Sequence, residues 1–387
     1  MSIKKSILKP DEMAALLKLK FGGKNINSHH KNSNIKKDYN LAYCYDTLDK
    51  VSRSFAAVIR QLPEEISDVV CLFYLILRGL DSVEDDMDLS YEDKILLLRE
   101  FYTKNFERGW KLENVGDKAE YRELLANYDK VIEAFLALDV KYQNIITDIC
   151  QKMGSGMADF VESKITTLED YNLYCHYVAG LVGIGLSELF AASEIESKEL
   201  ESKDKLANSM GLFLQKTNIV RDYKEDMDEN RIFWPEEVWT LYSPTFEGFS
   251  LNPNKSESLS CLNHMVNDAL SHATDCLDYL KILTNERAFR FCAIPQVMAI
   301  ATLAEVYNNQ KVFTENVKIR KGLAAKLILS AGSIQEVVKI YKEMASAIAK
   351  KIPHGFPNSE ETLELVEKIN AYCELALAET YKSPEIA

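Results

Sequence analysis

The sequence predicts an all-α fold, and three observations carry that prediction. No proline occurs between Pro63 and Pro235, and because proline breaks helix interiors the interval can be filled with long helices. From Leu41 onward apolar residues recur at helical spacing, while alternating β-branched runs of useful length are absent. The 387 residues are 47% apolar, enough to build a sizeable core.

Element by element, residues 1–40 read as a poorly defined N-terminal segment. Its stretch 24–37 (Lys-Asn-Ile-Asn-Ser-His-His-Lys-Asn-Ser-Asn-Ile-Lys-Lys) is polar and reads as a loop. Residues 41–381 are expected to form one helical domain, and residues 382–387 a tail. The periodicity predicts helices over 41–61, 64–87, 90–109, 118–139, 142–166, 168–193 and 200–228. Gly109–Gly116 reads as a connection. Asn230, Pro235, Pro244, Gly248, Pro253 and Asn254 punctuate a break over 229–254. Helices resume over 257–285, 288–309, 332–351 and 358–380, and Pro353, Gly355 and Pro357 separate the last two. No linker divides two hydrophobic cores, and no short-period repeat is present.

Composition narrows the function. A net charge of −13 argues against nucleic acid as the main partner. The eight cysteines are scattered singly, without a C-x-x-C pair or zinc-type spacing, and read as buried thiols of a reducing compartment. No secretory signal follows Met1-Ser2-Ile3-Lys4-Lys5. The longest apolar stretches, Val69–Leu80 and Ala288–Leu303, are interrupted by Arg78 and by Arg290, Pro295 and Gln296. Neither reaches the roughly 18 apolar residues of a bilayer span, so the chain as given is expected to be soluble.

Two acidic clusters stand out, Asp81-Ser82-Val83-Glu84-Asp85-Asp86 and Asp222-Tyr223-Lys224-Glu225-Asp226. Residues three and four apart share a helix face, so Asp81, Glu84 and Asp85 converge, as do Asp222, Glu225 and Asp226. Like charges at that spacing cost a helix roughly 0.2–0.5 kcal/mol per pair. Each cluster closes an apolar helix carrying an arginine, Arg78 or Arg221. The pattern suits hard, oxygen-preferring cations, Mg²⁺ above all, which bind one or two carboxylates and keep other positions for water and phosphate. The alternative is two solvated helix ends.

These clusters resemble the two aspartate-rich motifs of the head-to-head prenyl synthases. Neighbouring strings narrow the resemblance to the squalene synthase family: Ser52-Arg53-Ser54-Phe55-Ala56-Ala57-Val58-Ile59, Tyr174-Cys175-His176-Tyr177-Val178-Ala179-Gly180-Leu181-Val182-Gly183, Asn218–Asp222 with Phe233-Trp234-Pro235, and Phe291-Cys292-Ala293-Ile294-Pro295-Gln296-Val297-Met298-Ala299. The resemblance runs from about Leu41 to Gly322. It implies a helical bundle of the isoprenoid synthase type around a central cavity. It also implies an enzyme that condenses two farnesyl diphosphates to presqualene diphosphate and reduces this with NADPH to squalene, using Mg²⁺.

Carried residue by residue, the resemblance assigns Asp81, Glu84, Asp85, Asp222, Glu225 and Asp226 to the Mg²⁺–diphosphate clusters. Arg53, Arg78 and Arg221 would add positive charge to the departing diphosphates. Ser52, Ser54 and Tyr74 would line the same region, and Gln215 and Asn218 would project toward it. Phe55, Tyr74, Leu181, Leu186, Phe289 and Phe291 are expected as apolar walls around a carbocation, or as ordinary core. Tyr174 is expected to take the proton lost as the cyclopropane forms, as a phenolate favoured by nearby cations, with Tyr177 one turn away as its control. Gly180, Gly183 and Gly185 lack the G-x-G-x-x-G order and follow no strand, so they read as close helix packing. Gly154 and Gly156 read the same way. The family binds NADPH without a Rossmann unit; Lys318, Arg320 and Lys321 are the expected contacts for its phosphates, with a solvated basic loop as the alternative. The first motif has Ser82 and Val83 where many relatives carry Thr and Leu. The family also usually ends in a membrane anchor, which would hold it on the cytosolic face of the endoplasmic reticulum. The tail ending at Ala387 is expected to carry no such anchor. A monomer is expected. Two rivals remain: a non-reducing synthase yielding a phytoene-like or dehydrosqualene product, and a helical scaffold whose acidic clusters bind cations without turnover.

Overall fold

The computed structural model describes residues 39–382 and, upstream, residues 11, 12, 14, 15 and 18. The loop expected at 24–37 and residues 383–387 of the tail lie outside the described residues. The described chain is helical, with no strand among the described residues. It divides into two compact units. The first holds the described residues of Gly23–Ser163 and Gly180–Asp204; the second holds those of Met1–Gly22, Lys164–Ala179 and Lys205–Ala387.

The first unit is organised around the helix Glu64–Glu84. Pro63 precedes it, where a missing N–H costs nothing, and Glu64 and Glu65 complement its dipole. Buried side chains from Ile66 to Val83 lie all round it, the mark of a core helix rather than an amphipathic surface one. The helices Tyr91–Lys104, Ala119–Ala126, Val140–Phe160 and Leu181–Ala192 pack against it. Two glycines permit that closeness. A Cβ on Gly154 would stand 2.2 Å from the Leu98 carbonyl oxygen, and one on Gly185 would stand 2.8 Å from both Ile149 and Phe73. At these two positions the expected tight packing is what the glycines serve. The helix predicted over 41–61 is in fact two, Tyr39–Val51 and Arg53–Ile59, because Ser52 takes an extended backbone (φ −159°, ψ 93°) and caps the second through the Phe55 N–H. The stretch 118–139 likewise divides at Asn127 into Ala119–Ala126 and Tyr128–Leu136.

The second unit is built on Asp204–Arg221, Ser256–Leu270, Glu286–Val306, Ile334–Ala349 and Ser359–Lys382. Glu286–Val306 runs through Pro295, and beside it Gln296 donates to the Met210 carbonyl at 3.1 Å. By length and hydropathy Leu168–Ala192 and Glu286–Val306 both match a membrane span, although the second has 78% of its most apolar window buried and serves as a core helix. A helix over Lys321–Ser330 was not foreseen. Short helices Glu236–Trp239 and Gly248–Leu251 lie within the predicted break. The helix expected over 168–193 contains a π-helical stretch, His176–Gly180, between Leu168–Cys175 and Leu181–Ala192. Such one-turn insertions recur at functional sites.

Candidate active site

In the first unit the acidic cluster terminates the core helix. Glu84 is its last residue and Asp85 its C-cap. Arg78, one turn earlier, reaches Asp81 at 3.0 Å and Asp85 at 3.9 Å. Burial pushes the Asp81 carboxyl up to about 6; Arg78 opposes the shift and Asp85 adds to it. The Glu84 side chain is half-buried, and its carbonyl accepts from Lys94 Nζ at 2.8 Å, closing the helix end. Asp86 plays a different part. It is buried, and its oxygens accept the backbone N–H groups of Asp88, Leu89 and Gly116 at 2.8, 3.1 and 2.6 Å, which folds the following loop.

Several predicted neighbours gather there. Tyr74 lies one turn before Arg78, its ring 5.4 Å from that of Phe55. Burial raises the Tyr74 phenol, while Arg78 and a hydrogen bond with Ser52 pull it back. Sequence reasoning missed Tyr121, whose ring lies 5.0 Å beneath the Arg78 guanidinium and 5.2 Å from Lys118 Nζ; nothing local in the sequence marks it. The side chains of Arg53 and Ser54 lie outside those described. Leu181 is buried and Leu186 half-buried.

In the second unit the other cluster sits at a helix break rather than inside the continuous helix expected over 200–228. Asp222 leaves helical geometry (φ −94°, ψ 13°) between Asp204–Arg221 and Tyr223–Asp228. Arg221 grips it through both oxygens, Nε to Oδ1 at 2.7 Å. Asp226 is buried and lies 3.4 Å from Arg231, whose guanidinium also pairs with Glu229 at 2.6 Å. Burial is the main force pushing Asp226 up to about 7; Arg231 opposes it, and Asp222, Glu229 and Glu225 reinforce it. An aromatic box fixes the break from behind. The Tyr223 ring lies 5.4 Å from Trp234, 4.9 Å from Phe246 and 5.0 Å from Phe313, and its hydroxyl donates to the Phe246 carbonyl at 2.7 Å. Asn218 is exposed and Gln215 half-buried on the same helix, with the fully buried Lys216 between them.

Tyr174, in the same unit, is 5% exposed and stacks on Phe233 with centroids 5.3 Å apart and an interplanar angle of 21°. Arg231 lies over that Phe233 ring at 5.5 Å. Arg231 and Phe233 are functional candidates the sequence reasoning passed over, although Phe233-Trp234-Pro235 was among the strings carrying the resemblance. Phe289 and Phe291 are buried in Glu286–Val306. Lys318 and Lys321 are exposed. Arg320 is already engaged, holding the buried Glu12 through Nη2 at 2.8 Å and Nε at 3.2 Å.

Among the described residues no group of three or more His, Cys, Asp or Glu side chains is drawn together closely enough to hold a metal ion by itself. What each unit offers is an all-oxygen mouth lined by guanidinium, and a hard cation that keeps water and diphosphate oxygens fits such a donor set. A squalene/phytoene synthase family model matches residues 48–322. The chain belongs to the squalene/phytoene synthase family. It is 46% identical over 360 residues to the squalene synthase of Mus musculus, covering 93% of this chain and 86% of that one. To the squalene synthase of Candida albicans it is 46% identical over 376 residues, covering 95% and 83%. A solved complex of TcSQS with the ligand E5700 superposes with a TM-score of 0.85 at 42% identity, covering 87% of this chain and 99% of that one. A dehydrosqualene synthase structure, 18% identical with a TM-score of 0.54, shares the fold alone. This member of the family is thus an enzyme of the squalene synthase type, with the all-helical architecture the sequence predicted.

Proposed function

We propose that this chain condenses two farnesyl diphosphates head-to-head into presqualene diphosphate and reduces that intermediate with NADPH to squalene, in an Mg²⁺-dependent reaction. The observation that carries the reading is that both acidic clusters are built as carboxylate–guanidinium mouths. Arg78 stands on Asp81 and Asp85; Arg221 and Arg231 stand on Asp222 and Asp226. Likeness to squalene synthases along more than nine-tenths of the chain supports it.

Asp81, Glu84 and Asp85, and Asp222, Glu225 and Asp226, would hold the Mg²⁺ ions. Bound there, Mg²⁺ supplies charge neutralisation for the diphosphate oxygens. The burial that pushes Asp81 and Asp226 upward is the environment in which a cationic partner is favoured most. In the first step the C–O bond of one farnesyl diphosphate breaks and its electron pair leaves with the diphosphate. Arg78 in the first unit and Arg221 in the second each offer a guanidinium of the kind that stabilises a departing diphosphate. The allylic cation meets the double bond of the second farnesyl chain, and closing the cyclopropane releases one proton, which Tyr174 Oη accepts. The stacked Phe233 ring keeps water from that side of the phenol. NADPH, when bound, supplies the hydride of the second step, and the exposed Lys318 and Lys321 would meet its phosphates. Arg320 joins them only by releasing Glu12. If the native protein carries a C-terminal anchor, it would work at the endoplasmic reticulum membrane, on the cytosolic face.

The deciding experiment is incubation with farnesyl diphosphate and Mg²⁺, with and without NADPH, followed by identification of the products. Squalene with NADPH and presqualene diphosphate without it are expected. One unreduced hydrocarbon in both reactions overturns the proposal in favour of a non-reducing synthase.

A further inference from the structure

We infer that Phe233 is a positioning residue for Tyr174, holding the phenol in register for the proton-accepting step of cyclopropane formation. The inference rests on the proposed role of Tyr174 and adds to it a residue whose loss affects one half-reaction only.

The geometry lies within the second unit. Tyr174 and Phe233 stack with centroids 5.3 Å apart and planes 21° from parallel. Phe233 is only half-buried, although its neighbours Trp234 and Pro235 are buried. A phenylalanine that leaves core on one side and meets a tyrosine on the other is not simply filling volume. Its own position is fixed from both flanks. On one side Trp234 is 1% exposed, its indole N–H donates to the Ile219 carbonyl at 3.3 Å, and its ring packs against Tyr223 and Phe246. On the other, the Arg231 N–H donates to the Asp226 carbonyl at 2.8 Å and its guanidinium pairs with Asp226 and Glu229. That guanidinium also lies over the Phe233 ring. The ring therefore stands on a segment pinned to the second acidic cluster, and through it Tyr174 is registered to Asp226 and Arg231.

Tyr174 needs such a reference surface. Its helix ends at Cys175 and passes into the π-helical stretch His176–Gly180, so regular α-helical hydrogen bonding does not continue past it. A flat ring against the phenol limits its swing. Because misplacing a reacting group by about 1 Å can cost on the order of 100-fold in rate, this restraint is expected to show as kcat rather than KM.

The test separates the half-reactions. Phe233→Met removes the ring and leaves a somewhat smaller apolar side chain; Phe233→Leu serves as a second ring-less variant of similar size should the first fail to fold; Phe233→Tyr retains the ring. For Phe233→Met we expect presqualene diphosphate formation to slow by roughly 10- to 100-fold. KM for farnesyl diphosphate should hold, and reduction of supplied presqualene diphosphate with NADPH should stay within about two-fold of wild type. Phe233→Tyr should recover most of the first-step rate. A ring-less variant that slows both half-reactions alike, together with a lowered Tm, marks Phe233 as structural and overturns the inference, as does an unchanged first step. Tyr174→Phe run alongside keeps the two readings apart. If it retains the first-step rate, the proton assignment itself fails, whereas a dead Tyr174→Phe beside a fully active Phe233→Met defeats only the positioning role.

Discussion

Lys216→Met is a perturbation whose size follows directly from its surroundings. Lys216 is 1% exposed, on the helix that presents Gln215 and Asn218 and ends at the second acidic cluster. Its ammonium lies 2.7 Å from Asp268 Oδ2 and 5.3 Å from the Tyr171 ring centroid. Methionine keeps the length of the stem and removes the charge. The Asp268 carboxylate, 19% exposed, then loses its counter-ion. Breaking a buried pair by removing one partner costs ~3–5 kcal/mol. Asp268 keeps some contact with solvent, and its Oδ2 makes no well-angled hydrogen bond despite the short separation. Both facts place the loss at the lower end, about 3 kcal/mol. Lys216→Met/Asp268→Leu removes the stranded anion as well and is expected to return to within ~1 kcal/mol of wild type. Urea unfolding followed by circular dichroism, at matched pH and salt, reads both variants. A double variant as unstable as the single one, or a single variant with an unmoved midpoint, would refute the pairing as the reason this lysine is tolerated in the interior.

Other outcomes follow from the same structure. Asp81→Asn or Asp222→Asn removes a proposed metal ligand, and product analysis should find neither presqualene diphosphate nor squalene; a variant that completes the first step contradicts the ligand assignment. Burial, with Lys216 second, pushes His272 down to about 3. The folded protein therefore keeps His272 neutral while the unfolded chain takes up a proton below about 6.5. Stability from this group is complete above that pH and lost as pH falls from 6.5 toward 3, by at most about 5 kcal/mol. His272→Gln should flatten the acid limb of the stability–pH curve, and an equally steep limb argues against the assignment. Gly154→Ala places a methyl group against the backbone oxygen of Leu98 and should destabilise by about 3 kcal/mol; a neutral change in urea midpoint means the two helices can part without cost.

Much of the fold was written in local chemistry. A proline-free interval, a 3.6-residue apolar rhythm and the absence of strand patterns are properties of the chain itself, and the all-helical architecture follows from them. The acidic clusters were equally legible, since spacing of three and four residues places carboxylates on one helix face wherever that helix goes. Helix interruptions were harder. Ser52 and Asp222 do not announce that helices stop there, because serine and aspartate are also tolerated within helices, and only packing on either side decides which conformation wins. Lys321–Ser330 was missed for a related reason: Gly322 speaks against a helix, and neighbouring helices supply the stability its sequence lacks.

The sequence by itself determined which residue types carry the chemistry: six carboxylates in two clusters, an arginine beside each, and a tyrosine in a string resembling known synthases. Only the tertiary structure decided their partners. Phe233 meets Tyr174, Glu12 takes the guanidinium of Arg320, Arg231 rather than Arg221 steadies Asp226, and Lys216 turns inward onto Asp268. The physical reason is that periodicity fixes what lies on one helix face, over a span of a few residues. Contacts between segments far apart in the chain depend on where whole helices come to rest, which is set by the summed burial of many side chains.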